Sequence, residues 1–178
     1  MLKPALKSSV LLLALLLGCG AARAQGSPGP QPKKARAPED YKPRTLKEVA
    51  AQPSDAESRG DKEESLLVQG DTQPSRVRAA YAGTSRPLSA DKKEVLRRWA
   101  MAYAGFPEGY TEPYEREMLF TENGTRYWLA VRKESLPRLR RELKRGEAVE
   151  LYLVRLGAAK TPGGWEPLLL VESYRKAN

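Results

Sequence analysis

Glu117-Met118-Leu119-Phe120-Thr121-Glu122-Asn123-Gly124-Thr125-Arg126-Tyr127-Trp128-Leu129-Ala130-Val131-Arg132 is the stretch that decides the fold. Two β-prone runs, Glu117 to Thr121 and Thr125 to Arg132, flank Glu122-Asn123-Gly124. Asn-Gly in that setting calls for a two-residue type I′ turn, because both central positions need positive φ and these residues reach it at least cost. The turn then fixes the register. Phe120 opposes Tyr127 and Met118 opposes Leu129 on one side of the hairpin, while Leu119 opposes Trp128 on the other. Both sides carry apolar pairs, so one is expected to be core and the other to receive a helix or a partner; Leu119 and Trp128 are the candidate apolar contact. Asn123-Gly124-Thr125 also matches an N-glycosylation acceptor, but its turn chemistry accounts for it.

On the N-terminal side the spacing predicts a helix, with Ser89 as N-cap, Asp91 in the first turn and Gly105 beyond the end. Val95, Leu96, Trp99, Ala102 and Tyr103 form its apolar stripe, and Lys93, Glu94, Arg97 and Arg98 lie mainly outside it. After the hairpin a second, short helix is expected from Ser135 as N-cap, with Pro137 in the first turn, to a stop at Gly146. Leu136, Leu139 and Leu143 face inward. Arg138, Arg140, Arg141, Lys144 and Arg145 crowd the outer arc with only Glu142 to balance them, the densest positive patch in the chain and the candidate anionic-ligand site. Arginine forks bind phosphate or carboxylate bidentately, although basic residues near a helix C-terminus also complement its dipole.

Glu147 to Leu156 alternates as a strand, with Val149, Leu151 and Leu153 on one face and Glu150, Tyr152 and Val154 on the other. Gly157 to Gly164 reads as the connection, and Trp165 to Tyr174 returns as a largely apolar strand whose Pro167 belongs at an edge or at the strand start. Helix, hairpin, short helix, hairpin is the order of a small α+β domain over residues 84–178. Its antiparallel sheet of four or five strands is expected to curve strongly or close into a small barrel, OB-like or SH3-like, with the first helix plugging an end or backing a face.

Residues 25–83 differ in composition. Ser27-Pro28-Gly29-Pro30-Gln31-Pro32, then Pro38, Pro43, Pro53 and Pro74, stand among charges with few large apolar residues, the signature of a disordered, Pro-rich tether. Such a flexible chain would span about 40 to 45 Å end to end. Within it Thr45 to Gln52 reads as one or two helical turns and Ser65 to Gln69 as a short strand or docking segment, neither long enough to stand alone.

Residues 1–24 read as a signal peptide. Lys3 and Lys7 open it, the apolar run Val10 to Leu17 is far shorter than the roughly 20 residues of a bilayer-spanning helix, and small residues follow. Leu16-Leu17-Gly18-Cys19 resembles the lipobox of bacterial lipoproteins, with Leu17 where a smaller residue is usual. That resemblance implies cleavage before Cys19 and lipid attachment to it, and Gly20 in the following position implies the outer membrane. Ala22-Arg23-Ala24 fits ordinary signal peptidase cleavage after Ala24 instead, which would release a soluble protein. Either product is exported, to the periplasm or the outer membrane.

The chain has one cysteine and no histidine, so the mature domain is left without disulfides, a thiol nucleophile, His-based triads or His and Cys metal ligands. No pair of carboxylates stands out as a shared acid and base. No enzyme activity, cofactor or metal is therefore expected. The formal charge of +9 suits anionic envelope partners more than nucleic acid, because the chain is exported. The function expected is a non-catalytic envelope binding or accessory module that contacts an anionic polymer or a protein partner; the alternative is a structural or assembly protein that docks through its apolar sheet face.

Overall fold

The computed structural model describes residues 36–51, 65–106 and 113–177; the expected signal sequence with Cys19, and residues 25–35 and 52–64 of the expected tether, lie outside them. The described chain is α+β, with seven strands in one mixed sheet and three α-helices. The strands are β1 (Lys42–Pro43), β2 (Leu66–Val68), β3 (Ser75–Pro87), β4 (Arg116–Glu122), β5 (Thr125–Val131), β6 (Ala148–Thr161) and β7 (Gly164–Lys176). The helices are α1 (Leu46–Ala50), α2 (Ala90–Trp99) and α3 (Ser135–Glu142).

The hairpin forms as its sequence dictates. Asn123 and Gly124 sit at φ 51° and 80°, and Phe120↔Tyr127, Met118↔Leu129 and Leu119↔Trp128 are the register pairs. Met118, Phe120 and Leu129 join Val77, Val149, Leu151, Leu153 and Leu169 in the larger of two apolar clusters. Leu136, Leu139 and Leu143 enter the same cluster, so the inward stripe of the short helix is where the heptad spacing put it. Its ends are not. Ser135 is the first helical residue rather than the cap, and the helix stops at Glu142, leaving Lys144 and Arg145 in the turn that leads to Gly146 (φ 82°).

The Ser89 helix backs a face. Ser89 Oγ accepts a hydrogen bond from the Lys92 N–H, and the chain leaves the helix through a wide π-turn over Ala100–Ala104 that ends at Gly105, φ 66°. Val95 and Leu96 pack with Ala130, Val154, Leu156, Leu168 and Leu170 in the second cluster, against which Trp99 is partly buried. Ala102 and Tyr103, the C-terminal part of the expected stripe, are exposed because the π-turn rotates the last residues off the helical face.

The sheet order is β1-β3-β4-β5-β7-β6-β2, with β3 also paired to β6. Pairing among β3, β4, β5, β7 and β6 therefore returns to its starting strand. One strand makes this possible. β3 pairs with β6 from Ser75 to Ala80 and with β4 from Ala80 to Pro87, and its register shifts between Tyr81 and Ser85, around Gly83 at φ 76°. The expectation of an antiparallel sheet of four or five strands is corrected: the described residues form seven, and β1·β3 and β5·β7 run parallel.

The tether reading also fails over the described residues. From Tyr41 onward the chain is built into the domain, with Leu46 and Val49 of α1 in the larger cluster and Val77, Ala79 and Tyr81 of β3 beside them. Thr45 and Glu48 form a capping box, and Glu122, from the hairpin, accepts a 2.8 Å hydrogen bond from the Leu46 N–H at the start of α1. The composition is as poor in apolar residues as it looked. Tyr41, Leu46 and Val49 are nevertheless buried, and the alternation Val77/Ala79/Tyr81 against Arg76/Arg78 is a strand that begins immediately after Pro74.

The expected loop from Gly157 to Gly164 is likewise strand, with a turn of only Pro162-Gly163. Pro167 lies in β7 opposite Ala158 of β6, and before the pairing of β7 with β5 begins at Leu170. Gly157, at φ 154° beside a bulge in β6, admits β2: a Cβ there would stand 1.9 Å from the Leu67 carbonyl oxygen and 3.0 Å from Val95. Gly157→Ala should therefore detach β2 and cost about 1 to 3 kcal/mol. Hydrogen exchange checks this: the Gln69 and Lys160 amides, which donate to Leu156 and Ser65, should lose protection. Unchanged protection at both would refute the account of Gly157.

Candidate functional site

The basic arc is exposed throughout. Arg138, Arg140 and Arg141 project from α3, and Lys144 and Arg145 from the turn after it. Arg138 is spoken for: its Nε donates to Glu142 Oε1 at 2.8 Å, and its guanidinium lies 5.6 Å from the centre of the Tyr174 ring. That hydrogen bond holds the Glu142 carboxyl below the usual carboxylate range. Tyr174 donates its O–H to the other Glu142 oxygen at 3.1 Å, and burial, then this bond, pushes the phenol up to about 12. Arg140 reaches only Ser85 Oγ, 3.2 Å away. Arg141, Lys144 and Arg145 have no side-chain ion pair with the described residues. The two carboxylates beside the arc are both engaged, Glu142 by Arg138 and Tyr174 and Glu147 by the Lys144 N–H and by Lys176, so the arc keeps an excess of positive charge.

The candidate apolar contact is not an open face. Leu119 is buried, only 2% exposed, and Trp128 is half-buried with the Arg86 guanidinium 4.4 Å above its ring. A cation over an indole face occupies the surface that a partner would use.

Arg86 belongs to a buried charge cluster that no local motif announces. It stands directly across the ladder from Glu117, and its Nε donates to Glu117 Oε2 at 2.6 Å while Nη2 donates to Glu166 Oε1. From α2, Lys92 places Nζ 2.5 Å from Glu117 Oε1 and 3.2 Å from Glu166 Oε1. Lys92 and Glu117 are each 1% exposed. Two cations and two carboxylates cancel, which is what allows charge at this depth. Burial alone would weaken the Arg86 charge, but its bonds to Glu166 and Glu117 outweigh that and hold its proton more tightly. Burial likewise pushes the Glu166 carboxyl up, and the Arg86 hydrogen bond and Lys92 charge more than offset it, leaving Glu166 below its ordinary value. The sequence did carry a signal: Lys92 lies three and four residues before Val95 and Leu96, inside the apolar stripe, and Glu117 precedes Leu119 on the same strand face.

Arg155 is the other side chain that the pattern did not reveal. It is 5% exposed, gives one hydrogen bond from Nη1 to the Ala51 carbonyl at the end of α1, and its Nε and Nη2 find no partner among the described residues. Burial weakens its hold on its proton. No group of three or more Cys, Asp or Glu side chains among the described residues is placed to hold a metal ion.

The Glu166 shift sets a pH dependence. A carboxyl whose folded pKa lies below the ordinary 4.5 stabilises the fold above that value, and the contribution disappears as pH falls from 4.5 through the folded pKa. Thermal midpoints measured from pH 7 downward should fall in that window, and Glu166→Gln should show a shallower decline than the native chain. Equal slopes would exclude Glu166 from the acid response. No protein-family model matches the chain, and no curated protein matches it.

Proposed function

We propose that this protein is an exported, non-catalytic binding module of the bacterial cell envelope, in which a small OB-like barrel presents basic side chains to an anionic polymer. The barrel reading is supported by the cyclic pairing of β3, β4, β5, β7 and β6, by the parallel contact of β5 with β7, and by a helix, α3, inserted between β5 and β6. One observation carries the functional reading. Arg140, Arg141, Lys144 and Arg145 stand exposed along one arc while the carboxylates beside them are engaged, Glu142 by Arg138 and Tyr174 and Glu147 by Lys176 and the Lys144 N–H. Several guanidinium and ammonium groups acting together suit a polymer with repeated phosphate or carboxylate groups.

Export rests on the signal-like start. Lipid attachment at Cys19 would hold the domain at a membrane, and cleavage after Ala24 would release it to the periplasm. The alternative of docking through the apolar sheet face loses support, because Leu119 is buried and Arg86 covers Trp128.

The triple variant Arg141→Ala, Lys144→Ala, Arg145→Ala should lose most retention on immobilised lipopolysaccharide at low salt. The difference from the native chain should shrink as salt rises, with an unchanged thermal midpoint. Native retention by the triple variant would remove the arc from consideration. For the anchor, Cys19→Ser should shift the expressed protein from the membrane fraction to the soluble fraction. A wild type already soluble would select cleavage after Ala24.

A further inference from the structure

On the outer side of the strands that close the ring lies a groove of about 460 Å³ that shares no residue with the α3 arc. Arg44, Arg76, Arg78, Arg175 and Lys176 line it, and Glu150 is the one carboxylate among its lining residues. The sheet explains the arrangement. Glu150 on β6 has Arg78 directly across on β3 and Arg175 directly across on β7, with Arg76 on the diagonal. Glu150 engages two of them at the same kind of atom: its Oε2 accepts a hydrogen bond from Arg175 Nε at 2.5 Å, and its Oε1 forms an ion pair with Arg76 Nε at 3.1 Å. Both guanidinium groups are thereby oriented from the inner nitrogen. Beyond Glu150, and the Tyr152 ring near Arg175, neither has a hydrogen bond or ion pair with the described residues.

Arg175 is held from a second side, with its guanidinium 5.9 Å from the centre of the Tyr152 ring, which in turn meets Tyr41 edge-on at 5.1 Å. Tyr152 is buried, so that support is rigid. Lys176 is neutralised by Glu147 at 2.8 Å, and Arg44 bonds Gln73, so these two frame the groove rather than fill it.

We propose that this groove is a receptor for a phosphate group, gripped by the Nη atoms of Arg76 and Arg175 while Glu150 serves as the positioning residue that aims them. Two forks already ordered lose little freedom on binding, and a tetrahedral anion offers enough oxygens to engage both. The same chemistry reads a soluble phosphoester or a lipid headgroup.

Titration of the full chain with inorganic pyrophosphate tests it. Binding should saturate at one equivalent, and Arg76→Ala with Arg175→Ala should weaken it at least about tenfold. Two further variants separate a built receptor from a mere excess of charge. Glu150→Gln removes a negative charge, so a simple electrostatic patch would bind more tightly, whereas loss of the aimed forks should weaken binding. Arg175→Lys keeps the charge and loses the fork, and should weaken binding several-fold. Tighter binding by Glu150→Gln, undiminished binding by Arg175→Lys, or a titration that never saturates would overturn the proposal. So would loss of pyrophosphate affinity in the Arg141, Lys144, Arg145 triple variant, which should retain it even if its lipopolysaccharide retention is lost. Phosphatidylglycerol vesicles that displace bound pyrophosphate would assign the phosphate to a lipid headgroup. Vesicles that leave it bound would assign it to a soluble phosphoester; the receptor stands in both cases.

Discussion

Because β3 runs for 13 residues and changes partner near its middle, hydrogen-bonding to β6 along its first half and to β4 along its second, strands far apart in sequence become neighbours. The whole arrangement follows from that double pairing. It brings the start of β3 beside the end of β7 across β6, where Arg76, Glu150 and Arg175 meet. It also carries the other end of β3 to β4, where Arg86 finds Glu117. A single register shift around Gly83 separates the two functions of the strand, and the positive φ there is the conformation for which glycine is best suited.

Charge is handled in two ways. Inside, Lys92 and Glu117 are desolvated together, with Arg86 and Glu166 completing a neutral group that ties α2, β3, β4 and β7 to one another. A buried pair of this kind contributes little net stability over apolar residues of similar size, but loss of one partner costs about 3 to 5 kcal/mol, so it enforces one docking of the helix on the sheet. Outside, carboxylates are placed sparingly. Glu142 and Glu150 each organise arginines rather than cancel them all, which leaves the arc and the groove positive.

The hairpin was legible in the sequence because its turn chemistry and alternation are local: Asn123-Gly124 fixes φ, and φ fixes every pair up to Glu117↔Ala130. The leucines of α3 were legible for the same reason. What could not be read were choices made between distant segments. β3 looked like part of a tether since Ala79 and Ala80 carry little hydrophobic signal and Pro74 precedes them, and its burial depends on β6, some 70 residues later. Of the site, the cations of the arc were visible as a run. The groove was not, for its arginines come from β3 and β7 and acquire meaning only when β6 sets Glu150 between them. Lys92 stands within an apolar stripe, but lysine is ordinarily solvated, and its burial depends on Glu117 arriving from β4.

The ends of the sheet order are β1, two residues long and containing Pro43, and β2, three residues long. Neither offers enough unpaired backbone amides to recruit a neighbouring molecule's strand. With no cysteine bridge among the described residues to hold its margins, a sheet whose ends are this short gives self-templated β-aggregation little exposed ladder on which to start.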